Sequence, residues 1–439
     1  MGGTYFLRTY GCQMNEHDSE VIEGFLREMG YEPAPSPEEA DVVVFNTCSV
    51  RRRPEEKVFS EVGKLRKVKQ RRRMVIVVAG CTAQRMGEEW VRKFPFLDVV
   101  MGPRVLFKFP DFLRRALRGE RPIIETDLKP FVHEGLPRCL KVPFKAYVTV
   151  MQGCNQFCAY CIVPYVRGRE VSRPPEAILR EVEELARRGV REVTLIAQNV
   201  NRYGRDLPCK VDFADLLHMV HEVEGIRWIR FTTSSPLGMT EKLIRAVAEL
   251  PKVCEHFHIP VQSGDNEVLR RMNRGYTVEQ FEGIVRKIRE VLPEASITTD
   301  VMVGFPGETE EAFRNTLELF RRVEFDQAFM FIFDPRPGTR AERMPDQVPE
   351  EVKKRRHREL VSLQNEISKR KNERLLGRVF EVLVDGPSEK DRRKLSGRTR
   401  TNKIVIFEGP KDLAGKFVKV EVKEATLWGF KGKLAEVLG

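Results

Sequence analysis

Three short apolar runs near the start of the chain each end in a cysteine: TYFLRTYGC at Cys12, DVVVFNTC at Cys48 and MVIVVAGC at Cys81. The segments between them are spaced like helices. Asp18 to Met29 puts Val21, Ile22, Phe25, Leu26 and Met29 on one face, and Glu55 to Val68 does the same with Val58, Val62 and Leu65. Alternating strand and helix predicts a parallel sheet with right-handed crossovers. Residues 102–150 read as a trailing strand-and-helix segment and a connector, broken repeatedly by proline. The alternation then restarts. AYVTVMQG, EVTLIAQNV, WIRFTTSSP, HFHIPVQSG, SITTDVMVGFPGE and QAFMFIFDP are strand-like, with helices expected over 175–188, 213–223, 240–250, 278–291 and 310–323. That gives six strand–helix units, short of the eight that close a barrel. The charged stretch 349–376, with a stripe of Leu360, Leu363 and Ile367, predicts one long helix. Beyond it VFEVLVDG, NKIVIFEG, KFVKVEVKEAT and LWGFKGKLAEV alternate between Gly-rich turns and predict a small β-barrel.

The expected fold class is therefore α/β in three parts: an N-terminal parallel-sheet domain (1–136), a central partial (β/α)6 barrel with its linking helix (137–372), and a small C-terminal β-barrel (373–439). A formal net charge of +12 over 439 residues suits a polyanionic partner such as nucleic acid. The competing reading is a solvated basic surface, since Arg, Lys and Glu are plentiful throughout. In the tail, Lys390, Arg392, Arg393, Lys394, Arg398, Arg400 and Lys403 concentrate charge where it can neutralise RNA phosphates. The N-terminus lacks a basic stretch followed by a long apolar core, and no apolar run approaches the ~18 residues of a membrane span. A cytoplasmic protein without a membrane partner is expected, working as a monomer.

Nine cysteines, an odd number scattered over the chain, do not form a disulfide framework. Their placement points to metal chemistry instead. Cys154, Cys158 and Cys161 form a C-x3-C-x2-C loop directly after a strand, where α/β barrels carry their active sites. Three thiolates at this spacing hold a cluster by three of four irons and leave one iron open. A zinc loop is the alternative, but its two-plus-two pattern is missing. Cys12, Cys48 and Cys81 each follow a strand of one parallel sheet, so they line one edge, where ligands bind. They suit a second cluster, against the alternative of three small core residues. Cys139, Cys209 and Cys254 lie away from strand ends and read as non-ligands.

The stretch VMQGCNQFCAYCIVPYVRGRE resembles the cluster loop of the radical S-adenosylmethionine (SAM) superfamily. TYGCQMN, NTCSVR and AGCTAQR resemble the N-terminal domain of radical SAM methylthiotransferases, and the tail resembles the RNA-binding TRAM domain. The run Arg51-Arg52-Arg53-Pro54 is more basic than the family pattern at that place. The resemblance implies two [4Fe–4S] clusters, one on Cys154, Cys158 and Cys161 that binds SAM, and an auxiliary one on Cys12, Cys48 and Cys81 that takes part in sulfur insertion. It implies that Tyr160 lies near the SAM adenine, and that Gln198 and Asn199 lie near its amino end. Ser234, Gln262, Asp300 and Gly304, at the ends of the next strands, are the further SAM-contacting candidates. His258 reads as a buried, hydrogen-bonded histidine. Arg167, Arg169 and Arg173 suit an RNA phosphate, the SAM carboxylate or plain solvent, and the sequence does not separate these.

The implied activity is methylthiolation of carbon 2 of N6-(dimethylallyl)adenosine next to the tRNA anticodon, with two SAM molecules used. That carbon's hydrogen is too weakly acidic for an ordinary side-chain base, so the chemistry belongs to the cofactor. The partners expected are the tRNA anticodon stem-loop, an electron donor such as a flavodoxin or ferredoxin, and a sulfur donor. Relatives acting on threonylcarbamoyladenosine or on a ribosomal-protein aspartate are alternatives within the family. From another class, the alternative is an RNA-binding iron–sulfur redox sensor without turnover.

Overall fold

The computed structural model describes residues 2–50, 52–130 and 132–438, apart from the side chains of 52–54. The basic run at 51–54 therefore lies outside the described side chains. The first domain is a six-stranded sheet of β1 (Gly3–Thr9), β2 (Tyr31–Pro33), β3 (Val42–Thr47), β4 (Val75–Gly80), β5 (Val99–Met101) and β6 (Ile123–Glu125). Its order is β2-β1-β3-β4-β5-β6, with every pairing parallel. β3 and β4 are buried at all positions because helices cover both faces. Val42, Val44, Val75 and Val77 face α1 (Gln13–Glu28) and the helix Phe109–Leu117. Val43, Phe45, Ile76 and Val78 face α2 (Arg52–Arg71) and Trp90. The three cysteine-tipped runs are β1, β3 and β4, which are adjacent in the sheet.

Six further parallel strands follow: β7 (Lys145–Thr149), β8 (Glu192–Ile196), β9 (Trp228–Phe231), β10 (His256–His258), β11 (Ser296–Val303) and β12 (Gln327–Ile332). They form two three-stranded ladders, β7-β8-β9 and β10-β11-β12. Cys254 N–H to Ile229 O (2.9 Å) and Ser234 N–H to His258 O (3.1 Å) tie the ladders together. β7 and β12 remain free edges, so the barrel is open on one side. Ala146, Val148, Val193, Leu195, Ile229, Ile297, Val301 and Ala328 pack outward under the helices. Alternation turns Tyr147, Thr194, Arg230, Thr298, Asp300 and Phe329 into the lumen. α1 of the first domain lies beside β7: Thr149 Oγ1 is 3.8 Å from Met14 Sδ, and Arg138 bridges Glu20 (2.6 Å) to Glu181 (2.5 Å).

The tail is a closed five-stranded barrel, β13 (Val379–Pro387), β14 (Leu395–Thr399), β15 (Ile404–Glu408), β16 (Phe417–Thr426) and β17 (Gly429–Leu438). It caps the N-terminal ends of the central strands. Arg230 donates to Thr399 O (2.8 Å) and Arg400 O (2.9 Å), and Arg400 reaches Glu255 and Val253 O (2.7 Å). Lys403 meets Asp326 at 3.1 Å, and Trp228 packs edge-on against Phe417 at 4.9 Å. This limits the basic set expected to meet RNA. Arg400 and Lys403 are domain anchors, Arg398 donates to Asn402, and Lys390, Arg392 and Arg393 remain exposed.

Candidate functional site

The C-terminal ends of β1, β3 and β4 are stitched by short polar side chains. Asn46 donates to Asn15 O and Ser19 Oγ (both 2.9 Å), and Asn15 donates to Thr47 O (3.1 Å). Thr47 donates to Ala79 O, and Thr82 to Cys48 O (2.8 Å). Gly80 adopts φ +90, and a Cβ there would sit 2.5 Å from Asn46 Oδ1. This network brings Cys12, Cys48 and Cys81 together. Burial first, then the neighbouring Cys81 and Cys12 thiols, push Cys48 up to about 12. Burial also raises Cys81, against the pull of Arg167.

The loop after β7 begins at Gly153, with φ +83 and Arg169 O 2.0 Å from any added Cβ. Its shape is fixed by partners from several strand ends. Gly153 N–H donates to Gln198 Oε1 (2.5 Å), Gln156 Nε2 to Ser235 Oγ (2.7 Å), and Asn273 Nδ2 to Phe157 O (3.0 Å). Asn155 and Glu170 exchange backbone-to-side-chain bonds, and Arg202 holds Glu170 at 2.8 Å. Burial pushes Cys154 up to about 11 and Cys161 up to about 12, with the Cys158 thiol adding to each.

Each thiol set has its own buried guanidinium, which sequence reading missed for Arg274 and left open for Arg167. Arg274 Nη1 lies 3.2 Å from Cys158 Sγ and 3.4 Å from Tyr160 Oη. Arg167 Nε lies 3.3 Å from Cys81 Sγ, and its Nη2 is 2.6 Å from Asp18. Arg167 belongs to the loop side yet contacts the first domain's cysteine. Cys81 also packs against Ile162 and Val166, just beyond Cys161, which puts one cysteine of the first domain against the trailing part of the loop. Arg173 is buried between Glu134 and Glu181, leaving Arg169 over the Phe157 ring as the free member of the three.

Among the described residues, no three His, Cys, Asp or Glu side chains close on a single ion. Two open, all-sulfur donor sets suit multi-iron clusters rather than a mononuclear metal.

The other candidates divide by environment. Asn199 is buried with both Oδ1 and Nδ2 unpartnered, and Ser234 Oγ is likewise free, at the ends of β8 and β9. Such orphaned polar atoms fit a polar ligand bound there. Gln262 pairs by backbone with Asp300 O and Met302 N–H, at φ +69. Asp300 faces the lumen, 3.4 Å from His258 Nε2. His258 Nδ1 and His256 Nε2 share Thr298 Oγ1, and burial pulls His256 down to about 3. The space at Gly304 is filled by Lys353, whose Cγ would be 2.3 Å from a Cβ, which gives that glycine a packing reason. Cys254 is buried between the barrels, and burial pushes it up to about 12.

Residues 148–320 match the Radical SAM superfamily, residues 4–102 the Uncharacterized protein family UPF0004, and residues 373–435 the TRAM domain. The solved structure of the radical S-adenosylmethionine methyltransferase TsrM from Kitasatospora setae superposes with a TM-score of 0.56 at 15% identity, covering 78% of this chain and 77% of that one. At that identity the likeness shows the fold alone. The tRNA-2-methylthio-N(6)-dimethylallyladenosine synthase of Moorella thermoacetica is 47% identical over 99% of this chain and 98% of its own length. That of Carboxydothermus hydrogenoformans is 48% identical over 98% of this chain and 99% of its own length. With all three parts present in order and full-length similarity of this degree, the chain belongs to the tRNA-2-methylthio-N(6)-dimethylallyladenosine synthase family of radical SAM enzymes.

Proposed function

We propose that this chain is the transferase that places a methylthio group on carbon 2 of N6-(dimethylallyl)adenosine beside the tRNA anticodon, using two SAM molecules and two [4Fe–4S] clusters. The contact between the two cysteine-bearing parts carries the reading: Cys81 packs on Ile162 and Val166, in the segment just after Cys161. Cys154, Cys158 and Cys161 are the ligands of the SAM cluster, and Cys12, Cys48 and Cys81 those of the auxiliary one. When bound, the first supplies the electron that cleaves SAM to a carbon radical, and the second carries the sulfur to be transferred.

The chain's own residues position and exclude. Gln198, Gln156 and Asn273 hold the loop in one shape, while Asn199 and Ser234 present free polar atoms to a bound cofactor. The open side between β7 and β12 admits a base splayed out from a single-stranded loop. The chain works in the cytoplasm as a monomer, in three units divided near 136 and 372, with a flavodoxin or ferredoxin as electron donor and a separate sulfur donor. No described helix is long and apolar enough to cross a membrane.

Reduced, cluster-loaded protein incubated with SAM and the prenylated anticodon stem-loop tests the assignment. Cys154→Ala abolishes 5′-deoxyadenosine release. Cys48→Ala retains release and loses the methylthio product; product formation by Cys48→Ala would remove the auxiliary set from the reaction.

A further inference from the structure

The inner face of the barrel carries two aromatic side chains without cover. On β12, Ala328, Met330 and Ile332 pack toward the helices, so Phe329 and Phe331 point into the lumen. Phe329 is 50% exposed and Phe331 37%, on a strand whose other face is packed. Apolar area left wet forfeits burial free energy, and such patches mark binding surfaces. The neighbouring lumen positions are polar. Phe329 lies in register with Asp300 and edge-on to His258, with ring centroids 5.8 Å apart. Phe331 lies in register with Met302, which packs with Tyr160 on one small cluster around Phe305. An apolar strip thus leads from the cysteine loop down the free-edge strand that borders the barrel's opening.

Resting on the substrate reading above, we propose that Phe329 and Phe331 recognise the dimethylallyl group of the substrate adenosine and set the enzyme's preference for the prenylated base. Ribose, phosphate and base edges are polar or charged, so the prenyl group is the part of the nucleotide that gains from this strip. An unmodified adenosine offers nothing to cover the rings. A threonylcarbamoyl group would press a carboxylate against them and beside Asp300, which is unfavourable both as desolvation and as like charge.

The test uses the full-length, cluster-loaded protein and two anticodon stem-loop RNAs that differ in the prenyl group. Wild type binds the prenylated RNA more tightly and gives methylthio product from it. In a Phe329→Ala, Phe331→Ala double variant the ratio of the two Kd values falls about tenfold or more, as expected for the removal of an apolar pocket. KM for the prenylated RNA rises by a similar factor, and Phe329→Leu with Phe331→Leu restores most of the lost affinity. Equal weakening on both RNAs overturns the proposal, because the rings would then stack on the base or support the fold. An unchanged ratio overturns it too. Absence of product from wild type with prenylated RNA would instead overturn the substrate reading itself.

Discussion

Arg167 and Arg274 each set a guanidinium against one cysteine of one thiol set. A fixed positive charge and a hydrogen bond at a ligand sulfur both favour the reduced, more negative cluster. Arg274→Gln is therefore expected to lower the midpoint potential of the cluster proposed for Cys154, Cys158 and Cys161 and to leave the other in place, as read by an EPR-monitored redox titration. Arg167→Gln is expected to be costlier to the fold. It strands Asp18, which is 2% exposed and paired through that arginine, and breaking such a pair costs about 3–5 kcal/mol. Urea unfolding checks it: the midpoint drops while the slope stays. Neither partner was legible in sequence. Arg167 sits inside a visible motif, but Asp18 is 149 positions away, and Arg274 stands in an unremarkable RMNRGY stretch. The cysteines were legible because a strand that ends in a cysteine is a local pattern. Asn46 shows the intermediate case: its neighbours Thr47 and Cys48 marked the motif, and the structure supplies its job as the clasp between β3 and α1.

At the scale of elements, what periodicity could reveal was revealed. Long strands such as β3 and β11 and the helices after them are read directly, whereas β2, β5 and β6 are three residues each, too short to display alternation. The basic tail was legible as charge but not as packing, because Arg400 and Lys403 find their acids, Glu255 and Asp326, in another domain. Asp326 is the central anchor there. It accepts from Ile297 N–H (3.0 Å), Lys371 of the linking helix Glu350–Glu373 (2.8 Å) and Lys403 of the tail. Burial alone would raise its carboxyl, but Lys403 and Lys371 outweigh it and hold it below the usual range. Burial pulls the Lys371 ammonium down in turn, and Asp326 only partly offsets that, so the carboxylate is the member that governs the pH dependence. A depressed folded pKa contributes stability that is present above the unfolded value of about 3.9 and is lost as pH falls through the folded value. The tail is therefore expected to loosen below about pH 4, with limited proteolysis cutting near the linking helix. Asp326→Asn should show the same cleavage at neutral pH.

The whole molecule places its three parts around one opening. The first domain brings its cysteines and α1 to the β7 side, β12 forms the opposite edge, and the tail barrel seals the strands' N-terminal ends with Arg230, Arg400 and Lys403. Because those arginines and lysines are committed to neighbours, a positive total charge overstates what RNA can reach. Within the basic run 390–403 the exposed remainder is in the β13–β14 loop, where Lys390 and Arg392 extend into solvent and Arg393 is lightly held by Asp391 at 3.0 Å. Ion pairs that exposed contribute little and are readily exchanged for a phosphate. If this loop tracks the anticodon stem, replacing Lys390, Arg392 and Arg393 by alanine weakens tRNA binding at low salt. It also reduces the steepness of log Kd against log salt by about 0.7–0.9 for each phosphate that these side chains no longer neutralise. Arg400→Ala serves as the contrast. Its guanidinium spends its donors on Glu255, Pro251 O and Val253 O, so its removal is expected to lower thermal stability by loosening the tail while leaving the salt slope nearly as it was. A salt slope unmoved by the triple replacement would take this loop out of phosphate contact and leave exposed cations elsewhere, such as Arg169 over Phe157, to carry it.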